Sequence, residues 1–175
     1  MLVRKGNHDS ILYVIKKFRS VPGKNVLQSI MYFANIKTNM YSFQWNKFGP
    51  YSEELKYALD DAIINGSVEY GAVDNTIRNK QQLTIKLTDQ GKHQLDSNLD
   101  KTIVESVELA HKLLKNKDYR KIGLLASIHY MMKYNDGKTN AVSLWNIIKK
   151  LRPDDGFELS DIESTIQELE EVEIV

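Results

Sequence analysis

The hydrophobic period of this chain changes partway along and then changes back, which restricts the fold more than any other feature. Ile11, Val14, Ile15 and Phe18 recur at the helical spacing, and Val21-Pro22-Gly23 predicts a stop after a helix over 9–19. A second helix is predicted over 24–36, with Val26, Leu27, Ile30, Phe33 and Ala34 on one side. Tyr41, Phe43 and Trp45 then alternate with Ser42, Gln44 and Asn46, the two-residue rhythm of a half-buried strand. Gly49-Pro50 is expected to end that strand, because proline donates no ladder hydrogen bond.

Helical spacing returns after Ser52, a good N-cap, with Leu55, Ala58, Leu59, Ala62 and Ile63 as the apolar stripe and Gly66 as the terminator. Val68 to Val73 and Leu83 to Leu87 read as a hairpin around a polar loop, and Thr88-Asp89 can cap a further helix. The order helix, helix, strand, helix, hairpin, helix fits a winged helix, whose third helix and hairpin wing are the usual contact elements. The fold class expected is therefore mainly α with a small β-hairpin (α+β).

The remainder reads as helical, over 100–117, 119–134 and 140–151. A last helix is predicted to open on a Ser160/Glu163 capping box and to carry Ile162, Ile166 and Leu169. This gives a winged-helix-like module over 1–98 and a helical, helix-turn-helix-like module over 99–175 packed on it. Oligomeric state is not legible, although the helix beginning near Leu99 could pair with a symmetry mate in a homodimer.

The Tyr32-Phe33 helix end, the aromatic strand, Gly49-Pro50-Tyr51-Ser52 with Glu54-Leu55, and Ala62 to Val68 form one recognisable stretch. Over 27–68 the chain resembles the YwgA-like and Panacea (SocA-type antitoxin) group of small winged-helix-like proteins. Leu124-Leu125-Ala126-Ser127-Ile128-His129-Tyr130 is similar to the start of that group's C-terminal half. Members of that group are largely uncharacterised; some act as antitoxins or proteolytic adaptors, which work by binding proteins, and the resemblance brings no catalytic residues.

Composition excludes several function classes. There is no cysteine, which removes disulfides, thiolate metal sites and cysteine nucleophiles and suits a reducing cytoplasm. No apolar run approaches the ~18 residues that a membrane span requires, and no membrane partner is expected. The four histidines, His8, His93, His111 and His129, lack a second ligand at metal spacing, and no phosphate-binding glycine loop is present. His129 reads as a hydrogen-bonded core histidine. No enzyme activity, cofactor or metal is expected.

The net charge of +1 conceals four blocks: residues 1–50 carry +7, 51–111 carry −5, 112–152 carry +8, and the chain from 153 carries −9. Such blocks either attract a charged partner or pair within the fold. Seven of the sixteen aromatic residues (Tyr32, Phe33, Tyr41, Phe43, Trp45, Phe48, Tyr51) crowd into 32–51. The row at 41, 43 and 45 is expected to pack inward rather than to stack on unpaired bases.

Two functions stay open on the sequence alone. The first is a winged-helix regulator associated with duplex DNA, contacting phosphates through Lys16, Lys17, Arg19, Arg78 and Lys80. The second is a protein-binding adaptor or antitoxin-like module, using Glu53, Glu54, Asp60 and Asp61 of the third helix. The acidity of that helix weighs against the first, since phosphate contacts supply much of the affinity of such complexes.

Overall fold

In the computed structural model, the described residues are 5–73, 82–95, 99–135 and 139–172. Among them eight α-helices and two antiparallel strand pairs follow one another as α1 (Lys5–Phe18), α2 (Lys24–Ala34), β1 (Gln44–Asn46), β2 (Gly49–Tyr51), α3 (Glu53–Ile64), β3 (Val68–Val73), β4 (Gln82–Leu87), α4 (Asp89–Gln94), α5 (Lys101–Leu114), α6 (Tyr119–Tyr134), α7 (Ala141–Leu151) and α8 (Leu159–Glu171). The fold is thus mainly α with two small hairpins. No helix among the described residues is long and apolar enough to cross a membrane.

Two helices form the centre. Every residue of α2 from Val26 to Ala34 is buried, as is the run Leu124–His129 of α6. A helix apolar on all sides has no solvent face, which is why the α6 run shows no clear period. α5 and α6 both pack on α2, and α1 packs on α5 and α3, so one hydrophobic cluster extends from Ile11 to Leu169. α7 and α8 pair with each other, and α8 rests on α6.

Val21, between α1 and α2, bridges to Ile85 through reciprocal hydrogen bonds of 2.9 and 2.7 Å, so the pair β3–β4 is tied back to the start of α2. β3 and β4 pair from Val68↔Leu87 to Val73↔Gln82, and the loop expected to join them, including Arg78 and Lys80, lies outside the described residues.

Three local expectations differ from the structure. Gly49-Pro50 does not end the strand; it forms β2, with Pro50 opposite Trp45 in a two-stranded ladder where its missing N–H costs little. The ladder is correspondingly shorter than the alternating row, although Tyr41 is buried and Phe43 and Trp45 half-buried, with Ser42, Gln44 and Asn46 exposed. The last helix begins earlier than the Ser160/Glu163 box predicts. Glu158 is its N-cap, and the Asp161 carboxylate accepts from the Glu158 N–H at 2.8 Å. Phe157 fixes that entry point, because its carbonyl accepts from the Trp145 indole at 3.0 Å.

Candidate functional site

α3 starts where the sequence places it. The Ser52 hydroxyl accepts from the Leu55 N–H at 3.2 Å, satisfying one of the donors that a helix start leaves open. Leu55, Ala58, Leu59 and Ala62 are buried, and the helix packs on α1 and β3. The opposite stripe carries Glu53, Tyr57, Asp60, Asp61 and Ile64. Tyr57 is 59% exposed and Ile64 80% exposed, large apolar surface for a face that also bears three carboxylates.

This face continues into its neighbours. Lys24 of α2 reaches Asp60 at 3.2 Å and lies 5.9 Å from the centre of the Tyr70 ring on β3. A hydrogen bond to Tyr70, followed by the Asp60 carboxylate, holds the Lys24 ammonium above the ordinary lysine range. Tyr70 itself is partly exposed, as is Leu83 further along the same hairpin face. Lys56 pairs with Glu53 at 3.4 Å and sits over Tyr57 at 5.1 Å, and the Glu53 charge raises its pKa.

The N-terminal end of α3 is held by a device that sequence reasoning missed. Gln28, buried on α2, donates to the Ser52 carbonyl and accepts from the Ser52 N–H, both at 2.9 Å. Two turns further on, at the C-cap of α2, buried Asn35 does the same to Tyr41, donating to its carbonyl at 2.8 Å and accepting from its N–H at 2.9 Å. The two side-chain amides therefore grip both ends of the segment 41–52 as a neighbouring strand would. Buried backbone groups need such partners. The signal was present in the sequence as two amides, seven positions apart, in the largely apolar run 26–36.

Tyr32, between them on α2, completes the anchorage. Its hydroxyl and His129 Nδ1 are hydrogen-bonded at 2.6 Å, so His129 is the core histidine expected. Tyr32 also meets Phe43 edge-on at 5.3 Å, and Trp45 packs on Tyr130 at 5.7 Å, which places the row at 41, 43 and 45 against the core. Burial raises the Tyr32 and Tyr41 hydroxyls far above ordinary phenols. On the far side of the hairpin, Gly49 at φ 119° lies so close to α6 that a Cβ there would fall 2.8 Å from Ser127 Oγ. Glu54 joins the segment to α3 by accepting from the Ser42 N–H at 2.9 Å.

The basic candidates do not gather on α3. Lys16 and Arg19 are exposed at the end of α1, whereas Lys17 is paired with Glu108 of α5 at 2.7 Å. Glu108 also accepts from the Tyr13 hydroxyl at 2.8 Å, and these two bonds hold its carboxyl below the usual range. Burial, then the bond to Glu108, pushes Tyr13 up to about 12. Lys117 and Lys121 likewise pair within the fold, both on Glu168 of α8.

No group of three or more His, Asp or Glu among the described residues could hold a metal ion. A cavity of about 360 Å3 between α7 and α8 is lined by Trp145, Lys149, Arg152 and Phe157. Arg152 there is committed to Asp155, from Nε at 2.6 Å and from Nη2 at 2.5 Å, and so fixes the turn before α8. No protein-family model matches the chain, and no curated protein matches it.

Proposed function

We propose that this chain is a non-enzymatic winged-helix module that binds another protein through the outward face of α3, acting in the cytoplasm as an adaptor or antitoxin-like regulator. The observation that carries this reading is the composition of that face. Where a DNA-reading winged helix presents cations to phosphates, α3 presents Glu53, Asp60 and Asp61 together with exposed Tyr57 and Ile64. A centre of large apolar side chains within a charged rim is the anatomy of a protein interface. The acidic rim fits a partner with a basic surface, and charge of this kind governs partner choice and encounter rate more than affinity. The resemblance read over 27–68 to the YwgA-like and Panacea group implies a partner of the same kind.

Association with duplex DNA would have to bypass α3 and use Lys16, Arg19, Arg78 and Lys80. A photocrosslinking residue at Ile64, used in the host cell, separates the two readings. Protein binding predicts a discrete polypeptide adduct, and the purified partner should bind about tenfold or more weakly to Tyr57→Ala, as for a central aromatic anchor. Adducts to nucleic acid, or a partner indifferent to Tyr57→Ala, would overturn the proposal.

A further inference from the structure

At the N-terminal end of α3 the docking face opens into a cavity of about 290 Å3 lined by Ser42, Gln44, Trp45, Asn46, Tyr51, Glu53 and Glu54. Resting on the protein-binding reading above, we propose that this notch receives an arginine side chain of the partner.

The lining chemistry selects a cation. Two carboxylates and two aromatic rings line the notch, and no basic side chain does. Indole is the strongest aromatic partner for a cation, and a guanidinium can stack on such a ring while its N–H groups fork onto carboxylates. Gln44, Asn46 and Ser42 add neutral oxygens that can accept the remaining N–H groups of a guanidinium. The positive end of the α3 dipole opposes a cation with only about half an elementary charge, against two from Glu53 and Glu54. The volume sits just under the ~300–1,000 Å3 of small-molecule sites, which suits one long side chain rather than a metabolite.

The internal competitors are weak. Lys56 meets Glu53 at 3.4 Å as an exposed i,i+3 pair, an interaction that an incoming guanidinium displaces at little cost. Glu54 gives one oxygen, Oε2, to the Ser42 N–H and keeps Oε1 for another donor. The notch is also built in advance, since Gln28 fixes Ser52 and Asn35 fixes Tyr41 at the two ends of the segment that forms it. Preorganisation of this kind reduces the ordering entropy that binding must overcome.

The test uses acetyl-Gly-Arg-Gly-amide and its citrulline twin, which has the same shape without the charge, titrated into the 15N-labelled full chain. The arginine peptide should shift the Trp45 indole N–H resonance saturably and leave that of Trp145 in place, with a Kd on the order of 1–10 mM for one cation–π and ion-pair contact. The citrulline twin should bind about tenfold more weakly, as should the arginine peptide to the Glu53→Gln, Glu54→Gln double variant, while Glu105→Gln, on the exposed side of α5, leaves binding unchanged. Equal shifts from both peptides, or no Trp45 response to arginine, would overturn the notch even if Ile64 captures a protein. An arginine-specific response without a captured protein would support the notch and overturn the wider function.

Discussion

Replacing Gln28 with Leu tests the claim that buried amides of α2 hold the docking face in shape. Leucine nearly matches the side chain in size but offers Ser52 neither donor nor acceptor. The Ser52 carbonyl keeps its helical bond from the Lys56 N–H at 3.1 Å, whereas the Ser52 N–H, on a residue with no exposure, loses its acceptor at Gln28 Oε1. An orphaned buried donor costs about 1–3 kcal/mol, and the second lost bond adds about 0.5–1.5 kcal/mol. The expected loss is thus about 1.5–4.5 kcal/mol. With a urea m-value of about 2 kcal/mol/M, the unfolding midpoint should fall by about 1–2 M with m unchanged. Gln28→Glu provides the control, because a carboxylate can accept from Ser52 but cannot donate to it. Burial and the facing carbonyl should raise the pKa of the introduced carboxyl in the folded state, so the deficit of this variant should be full at pH 7 and shrink as acid restores the donor. A midpoint shift in Gln28→Leu below about 0.25 M would refute the reasoning, since it would mean that water or slippage satisfies Ser52 without cost.

Three further outcomes follow from the same geometry. Gly49→Ala should destabilise by about 1–3 kcal/mol, read as a Tm loss of several degrees, with only partial recovery on adding Ser127→Gly, because φ stays unfavourable after the clash is removed. Tyr57→Ala and Ile64→Ala should each leave the stability within about 0.5 kcal/mol of the original, as expected for surface positions, so that lost partner binding cannot be traced to unfolding. His111, held below its ordinary 6.5 chiefly by burial and then by Lys17, and Glu108, held below 4.5 by bonds from Lys17 and Tyr13, should both make the fold less stable in acid. In each case the unfolded chain binds the proton more readily, so stability is present above the unfolded pKa and lost as pH falls toward the folded one. The advantage of the parent chain over Glu108→Gln should therefore hold at about pH 6 and disappear well below 4.5, and a constant difference would contradict the Glu108 geometry.

Elements governed by local chemistry were readable in the sequence. The α3 start, its apolar stripe and the hairpin after it follow from Ser52, the spacing of Leu55, Ala58, Leu59 and Ala62, and the alternation at Leu83, Ile85 and Leu87. His129 could be placed in the core because its neighbours on α6 are apolar. What stayed hidden depends on partners distant in the chain. Lys17 reads as a free cation until Glu108 is brought beside it, and Asp60 reads as an uncompensated acid until Lys24 arrives. Proline at 50 reads as a strand terminator unless a short outlying hairpin is already in view. The amides of Gln28 and Asn35 gave a signal, polar groups in a largely apolar run, but their targets at Ser52 and Tyr41 lie on a segment that only tertiary packing sets against α2. The acidic character of α3 was legible from the start. Tyr57 and Ile64 became part of the candidate face only when their exposure was known.

The central claim is that α3 faces a protein and does not enter a DNA groove. Fluorescence anisotropy of a labelled random-sequence duplex, at low and at physiological salt, tests it most directly when run on the parent chain beside a Tyr57→Ala, Ile64→Ala double variant. The account predicts that any binding is weak, falls steeply as salt rises, and is the same for both proteins, because phosphate contacts would come from elements other than α3. Tight binding at physiological salt that is lost in the double variant would place α3 against the duplex and contradict the account.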